Sequence, residues 1–430
     1  MLNSRVWLGP RTMKMRLGGV VRCVAALTLL TCPFTLSAQE GLRDRDPTFS
    51  ASKQIATDLN QASAHSGPFY LLSHIQIADL GYSDELYLPV VAASKGLTFA
   101  VSAPQRLYFV QSRKAVYSVQ VTPTYAFIRK PDGGNQFGWS ARGDAQYLLN
   151  HLYLDLYGEA FNDLRASSAE LDRIVTQRNR EAGAKGEIKY STRTSLLFTA
   201  AHRSTNYPVD RFQPVEVVAL LPLLDRTEND YRVSLLHKTF PVTSLLLAGE
   251  RNDYTFPNFV AHDARRTYTG VGFIWDHGRE QWHLEAGPTK LNFSAVGVKD
   301  YTGITGNTDA SFRVAERSLL NVAVARDLDF SVVGQQGYYV FDRAQASWNY
   351  LATRHLTLRL ISQVGRDTYP ETTNGIFRRD QYSFNGVGWD YAVRHAQGGF
   401  DVGYFRRTSN VLDGERQHGI RLLAHLSFTP

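Results

Sequence analysis

The run from Lys114 to Phe161 constrains the fold of this chain more than any other stretch. From Tyr117 to Phe127 the odd positions, Tyr117, Val119, Val121, Pro123, Tyr125 and Phe127, are apolar or aromatic, and Ser118, Gln120, Thr122 and Thr124 between them are polar. A period of two means a strand, because successive side chains leave a pleated backbone on opposite faces. After Lys130-Pro131-Asp132-Gly133-Gly134-Asn135 the pattern resumes. Phe137, Trp139, Ala141, Ala145 and Tyr147 share one face, and Ser140, Arg142, Asp144 and Gln146 share the other. The chain then reverses at Leu149-Asn150, after which Leu152, Leu154 and Leu156 alternate with Tyr153, Asp155 and Tyr157. Three long antiparallel strands follow from this.

Strands with one apolar and one charged stripe suit either a soluble sheet over a core or a membrane barrel with lipid outside and water inside. Two features favour the barrel. Arg142, Asp144, Asp155 and Glu159 are ionisable residues in strand interiors, and the strands run about 10 to 14 residues where soluble ones average roughly 5 to 6.

The same reading over the rest of the chain gives eighteen strands: 70–82, 96–111, 114–128, 137–148, 151–161, 183–191, 194–204, 228–238, 243–254, 264–275, 280–293, 300–314, 318–330, 338–350, 354–368, 379–392, 396–408 and 415–428. Sixteen is the alternative if the hairpin at 70–111 stays outside the wall. Connections alternate: those after odd-numbered strands are long, longest at 162–182 and 205–227, and those after even-numbered strands are short. An up-and-down barrel threaded through an asymmetric membrane has this form, with tight periplasmic turns and long external loops. A soluble sandwich gives no reason for all the long connections to leave from one end. Several short turns are alike, as in Ser191-Thr192-Arg193-Thr194 and Ala352-Thr353-Arg354-His355, a weak repeat of hairpins.

The 430 residues divide, on this reading, into a signal peptide at 1–38, a polar periplasmic leader at 39–67 and a barrel at 68–430. Arg11, Lys14 and Arg16 precede a mostly apolar run from Val20 to Leu30, and Leu36-Ser37-Ala38 is a small-residue cleavage site. Translation from Met13 or Met15 gives a more ordinary signal, and Cys32 leaves a lipoprotein reading open. In the leader, Ile55 and Leu59 at helical spacing allow a short amphipathic turn. No later stretch holds 18 consecutive apolar residues, so helical membrane spans are excluded. Cys23 and Cys32 are the only cysteines and both lie in the signal, so the mature chain has neither a disulfide nor a thiolate metal site. The 22 Tyr and 23 Phe suit a barrel with aromatic girdles. The net charge of +7 is scattered over strands and turns without a recognition motif, which argues against nucleic acid.

The closing strand alternates Ile420, Leu422, Ala424, Leu426 and Phe428 with Arg421, Leu423, His425 and Ser427. A terminal strand of this kind is what the outer-membrane barrel assembly machinery reads, although here the aromatic is third from last. The opening strand, Ile75-Gln76-Ile77-Ala78-Asp79-Leu80-Gly81-Tyr82-Ser83-Asp84, the segment Val324-Ala325-Arg326-Asp327-Leu328-Asp329-Phe330 and the hairpin at Thr353-Arg354-His355-Leu356 carry a diffuse resemblance. They resemble a loosely defined set of uncharacterised bacterial outer-membrane β-barrel proteins, including the β-barrel porin type linked to exopolysaccharide systems. The resemblance implies a barrel fold, the outer membrane of a Gram-negative-type bacterium and, by analogy, a transport role.

Candidate pore-lining residues are the ionisable ones on the polar stripe: Arg142, Asp144, Asp155, Glu159, Lys189, Arg232, Glu250, Glu285, Arg313, Asp327, Arg343, Arg359, Asp401, Arg406 and Arg421. Acidic and basic walls shape the field of a pore, whereas mutual pairing only solvates an interior without selecting anything. Catalytic readings fare poorly. Gly138-Trp139-Ser140-Ala141-Arg142 lacks the second glycine of a nucleophile elbow, and the 12 histidines form no H-E-x-x-H or H-x-H pattern. A membrane enzyme would need rim residues such as His202, His237, His262, His283, Asp253 and Asp263 to converge. No cofactor or metal is implied; the expected partners are lipid, the assembly machinery and small solutes or a polysaccharide. Loop 162–182 has helix-forming composition over Ala169 to Arg178, and the apolar run Val215 to Leu224 either folds into the lumen, contacts a partner or extends the neighbouring strands, the last being preferred. Three functional classes stand: a pore or export channel, a structural or surface-interaction barrel, and a membrane enzyme.

Overall fold

The computed structural model describes residues 51–83, 96–129, 135–166, 174–208, 219–278, 280–331, 337–370, 377–410 and 416–428. The signal peptide, Gly133 and Val215 therefore lie outside the described residues. One helix, α1 (Ala51–Asn60), precedes β1 (Ala64–Ser66), β2 (Phe69–Ser73), β3 (Ile75–Ser83), β4 (Gly96–Ser102), β5 (Gln105–Ser112), β6 (Ala115–Arg129) and β7 (Asn135–Leu148). Next come β8 (Leu152–Ala166), β9 (Ile174–Lys189), β10 (Thr194–Asn206), β11 (Arg226–Phe240), β12 (Thr243–Thr255), β13 (Ala264–His277) and β14 (Glu280–Phe293). The chain closes with β15 (Tyr301–Ala315), β16 (Ser318–Phe330), β17 (Tyr338–Leu351), β18 (Leu356–Thr368), β19 (Arg379–Ala392), β20 (Ala396–Ser409) and β21 (Arg416–Phe428).

Two pairs of these segments are single wall strands with a break. β2 pairs with β5 and β3 with β4, while β6 pairs with β5 through Val121 and with β4 from Thr124 onward. The interruption at Ala103-Pro104 lies against Thr122-Pro123, and neither proline has an N–H for the ladder. Counted this way the wall has eighteen antiparallel strands, closed by β21 on β3 from Phe428↔Ile75 to Arg421↔Ser83. The hairpin at 70–111 is part of the wall, and the sixteen-strand alternative falls. Short β1 pairs with β2 beyond the end of β21 and covers what would be an open edge.

Eight connections of two to four residues lie at one end together with both ends of the wall, and the longer connections lie at the other. The recurring Ser or Thr in the short turns has a local cause. Ser191 Oγ accepts from the N–H of Arg193 and Thr194 at 3.1 and 3.0 Å, and Thr353 Oγ1 accepts from His355 and Leu356 at 3.2 and 3.0 Å. Each hydroxyl supplies the turn with backbone partners that a tight reversal otherwise leaves unsatisfied.

The apolar stripe faces out around the whole wall: Val119, Phe137, Leu156, Leu247, Val271, Ile304, Val364 and Val387 are exposed, Val271 by 64% and Ile304 by 65%. A protein in water does not expose such a continuous belt, whereas lipid accepts it. On the inward side a few glycines make room for rings. A Cβ on Gly365 would come within 1.9 Å of the Tyr382 ring, and one on Gly183 within 2.8 Å of Tyr157.

Two expectations are corrected, and a third, the short amphipathic turn at Ile55 and Leu59, is met. Residues 174–182 are strand rather than helix or loop, and β8 runs on to Ala166. Register with a neighbour overrides helix propensity here, since Glu159↔Glu181, Phe161↔Asn179 and Asp163↔Gln177 continue the ladder without a break. The described part of the apolar run, Leu220 to Leu224, does not extend a strand. It ends in a 3-10 turn at Leu221–Leu224, and Pro222 has no N–H for a ladder. Residues 51–67 are ordered, and Ile55 and Leu59 form the packed face of a helix of 10 residues.

Candidate functional site in the barrel lumen

Strand register decides which side chains reach the lumen. Arg142, Asp144, Asp155, Glu159, Lys189, Arg232, Glu250, Glu285, Arg313, Asp327, Arg343, Arg359, Asp401 and Arg421 all lie on rows opposite the exposed apolar belt. Arg406 does not. With Asp401 pointing inward, the two-residue period turns Arg406 outward and Arg407 inward, where Arg407 Nη2 donates to Asp380 at 2.8 Å.

Most of these residues are gathered into buried ion-pair clusters. On β5 to β8, buried Asp144 accepts from Arg142 Nε at 2.8 Å, Ser118 Oγ at 3.0 Å and Arg106 Nη2 at 3.4 Å, while Arg142 Nη1 reaches Glu159 at 3.2 Å. Asp155 is buried on the neighbouring strand. On β11 to β14, Arg232 spans two acids: Nη1 to Glu250 at 3.0 Å and Nη2 to both oxygens of Glu285 at 2.8 and 2.7 Å. The Glu285 side chain is wholly buried. On β18 to β21, Arg359 Nη2 donates to both oxygens of Asp401 at 2.8 and 2.9 Å, its Nη1 lies 3.5 Å from Asp390, and His425 Nε2 is 2.7 Å from Asp390. Nearer the long loops, Arg266 pairs with Asp327, and Arg203 holds Glu181 at 2.7 Å and Glu228 at 3.7 Å. Arg343 stacks on Phe341, and Arg313 and Arg421 are partly exposed.

Charges this deep persist only when paired and hydrogen-bonded, and several of the pairs, such as Arg232 with Glu285 and Arg359 with Asp401, join residues far apart in sequence. In the first three clusters carboxylates outnumber guanidiniums. Arg232 faces two acids, Arg359 faces two beside His425, and Arg106 and Arg142 stand among Asp58, Asp144, Asp155 and Glu159.

The lumen is narrowed at both ends. At the short-turn end α1 lies on the inner wall. Ile55 is buried with Leu72, Tyr108 and Val116, all on inward rows of β2, β5 and β6, and Asp58 accepts a short hydrogen bond from Tyr108 Oη and lies 3.6 Å from Arg106. At the long-loop end the sheet splits. β15 pairs with β14 as far as Leu291↔Tyr301 but with β16 only from Gly306↔Arg326, while β16 and β17 stay paired to Phe330↔Tyr338. The outer row of that hairpin, Leu328, Phe330, Tyr338 and Val340, packs on inward Tyr254, Ala264, Leu291 and Tyr301, with ring centroids 4.8 Å apart for Tyr254 and Phe330. An outer row can meet an inner wall only where the hairpin bends into the lumen.

A second hairpin does the same. β7 releases β8 beyond Trp139↔Asn162, and inward Gln136 donates to Thr176 Oγ1 on the outer row of β9 at 2.5 Å. Leu221 and Leu224 fill the space between Val175 and Tyr207. Asp225 braces this segment, accepting from the Tyr207 N–H at 2.7 Å and from Asn258 at 3.2 Å, and burial pushes its carboxyl up. In the neighbouring loop His262 lies against Phe256 and Phe259, and burial pushes its imidazole down to about 4.

A closed wall of eighteen strands, apolar outside and charged inside, defines the architecture. This is an up-and-down antiparallel β-barrel of eighteen strands. No family model matches the chain, and no curated protein matches it in sequence. Among solved structures, the chain is similar to a BenF-like porin from Pseudomonas fluorescens Pf-5, at 12% identity and a TM-score of 0.49 over 84% of this chain and 99% of that one. It is also similar to OpdO of Pseudomonas aeruginosa, at 13% identity and 0.48 over 84% and 97%. A bacterial polysaccharide outer membrane secretin matches at 9% identity and 0.35 over 84% and 98%. Each likeness is one of general shape and says nothing about cargo.

The rim residues that an enzyme would need are scattered. His202 faces outward beside Asn229, His237 and His283 lie toward the short turns, Asp253 is held outside between two arginines, and His262 and Asp263 sit in the loop after β12. Among the described residues no group of His, Cys, Asp or Glu is arranged to hold a metal ion.

Strand parity in the sequence was enough to place the inward rows. It gave no sign of Asp58, Arg106, Arg203, Arg266, Asp390 or His425 as cluster members, because membership depends on strands that meet only in the closed wall.

Proposed function

We propose that this protein is a porin-like channel of a Gram-negative outer membrane that admits small solutes, with a preference for cations. The observation that carries the reading is the opposition of the two faces: a lipid-compatible belt outside, and inside it acids and bases that require water or one another. Eighteen strands enclose more space than side chains of the wall alone can fill. The excess of carboxylates over guanidiniums in three lumen clusters supports the cation preference. Passage of a polymer such as an exopolysaccharide would require α1 and both tucked hairpins to move.

The reading carries with it secretion by residues 1–38 through the general secretory route and insertion by machinery that reads the strand ending at Phe428. The eight short turns then face the periplasm. A non-conducting scaffold is the second reading, favoured by the narrowing at both ends of the lumen.

Planar-bilayer recording separates the two. Under a KCl gradient the mature chain is expected to conduct with a reversal potential of cationic sign, and a variant lacking 39–67 is expected to conduct more. Silence from both would remove the channel and leave the scaffold.

A further inference from the structure

Most buried carboxylates of the lumen have an arginine in contact, as Glu250 and Glu285 share Arg232 and Asp390 and Asp401 share Arg359. Among the described residues Asp155 and Asp367 are buried carboxylates with no ion pair, and each keeps an Oδ1 without a hydrogen-bond partner. The two differ in what stands beside them. The strongest charge acting on Asp367 is the cation Arg343, whereas on Asp155 it is a second acid, Asp144. Asp155 is therefore the carboxylate that lacks a cation.

On β8, Asp155 is 5% exposed and pairs directly across the sheet with Gln146 on β7, which is 7% exposed. The Gln146 amide donates to Asp155. Its own Oε1 has no partner, so two inward acceptor oxygens on adjacent strands lack donors. The nearest spare cation does not supply them. Lys185 on β9 is the other cross-strand partner of Asp155, yet its ammonium lies over the Tyr157 ring, 5.2 Å from the centroid. A buried carboxylate left so is costly. A water supplies donors but leaves the charge, whereas an N–H cation answers both oxygens and the charge together. A metal ion is poorly served, because one carboxylate and one amide are too few oxygens to replace its hydration shell.

The helix α1 lies over this place. Gln146 is flanked by Val116, its partner on β6, and by Leu148 in its own inward row, and both pack in the cluster around Ile55. Asp58 on the same helix lies against Arg106 Nη1 while Asp144 takes Nη2, so α1 is tied to the charges around Asp155.

We propose that Asp155 and Gln146 form a lumen site for the ammonium or guanidinium head of a small organic cation, and that α1 is the lid over it. The site deepens the preference for cations and rests on the acid excess behind that reading, not on conductance.

The test is isothermal titration calorimetry on the mature chain in detergent at fixed ionic strength, with butylammonium, butylguanidinium and choline chlorides as titrants. Saturable binding is expected for at least one of the two N–H cations, which identifies the head group, and none for choline, which has no N–H. Asp155→Asn keeps the shape and removes the charge, so it should weaken binding roughly tenfold. Gln146→Leu should weaken it less and reads the same site should Asp155→Asn fail to fold. Ile55→Asn unseats α1 and should tighten binding roughly tenfold, as for a lid closed about nine-tenths of the time. Asp155→Asn in that background should undo the gain. Gel mobility of unheated samples shows that each variant is folded. Equal affinity with and without the Asp155 carboxylate, or choline bound as tightly as the N–H cations, overturns the site. Affinity unchanged by Ile55→Asn overturns the lid. Calorimetry needs no current, so binding by a barrel that stays silent in planar bilayers would remove the channel and leave the site.

Discussion

Replacing Arg232 by alanine tests whether the lumen clusters hold the wall together. The substitution strips Glu285 and Glu250 of their shared cation, and their side chains are 0% and 4% exposed. Breaking a buried pair by removing one partner costs about 3 to 5 kcal/mol, chiefly because the surviving charge stays buried without compensation. Two carboxylates are left here, so the upper part of that range is expected. The control is Arg326→Ala on the outer face. Its guanidinium is 48% exposed and its partner Asp342 is 27% exposed, so the loss there should be no more than about 1 kcal/mol. The assay is denaturant unfolding of the barrel in detergent, followed by tryptophan fluorescence and by gel mobility of unheated samples. R232M/E250Q/E285Q removes the charges together and should recover most of the stability lost by Arg232→Ala. If Arg232→Ala costs no more than Arg326→Ala, water reaches Glu285 freely and the description of these clusters as buried is wrong.

Three further outcomes follow from the geometry. Asp58→Ala with Ile55→Asp removes both anchors of α1, and single-channel current through the mature chain should rise toward that of the variant lacking 39–67; an unchanged current would mean the helix does not limit flow. His262 is held neutral by burial, down to about 4 against an ordinary 6.5. The unfolded loop therefore takes up a proton first as pH falls: stability is full above 6.5, declines between 6.5 and about 4, and is then lost by about 3 kcal/mol at most. Proteolytic nicking of loop 256–263 should increase over that window and become insensitive to pH in His262→Phe. Finally, single cysteines at Asn150 in a short turn and Val296 in a long loop, both exposed, should differ toward an impermeant thiol reagent on intact cells, with Val296 labelled and Asn150 protected. The reverse pattern would invert the orientation.

The sequence by itself determined that each strand has one lipid-facing and one inward row and at which end the long loops lie, and it left the strand count at eighteen or sixteen until β21 was seen to close on β3. Side-chain alternation is a local property of a pleated backbone, so Leu245 and Leu247 point one way and Glu250 the other whatever their neighbours do. Tertiary structure decided what each inward charge touches. Arg232 and Glu285 lie 53 residues apart, and Arg359 and Asp401 lie 42 apart, distances over which no local pattern operates. The two inward hairpins were equally hidden. The residues Val175 to Asn179 and Leu328 to Val340 read as loop or as ordinary wall, because a sheet splits where one neighbour ends and the apolar inner face of nearby strands offers better burial. The seating of α1 was half legible: Ile55 and Leu59 announce an amphipathic turn, but only the closed wall brings Leu72, Tyr108 and Val116 together as the surface that receives it.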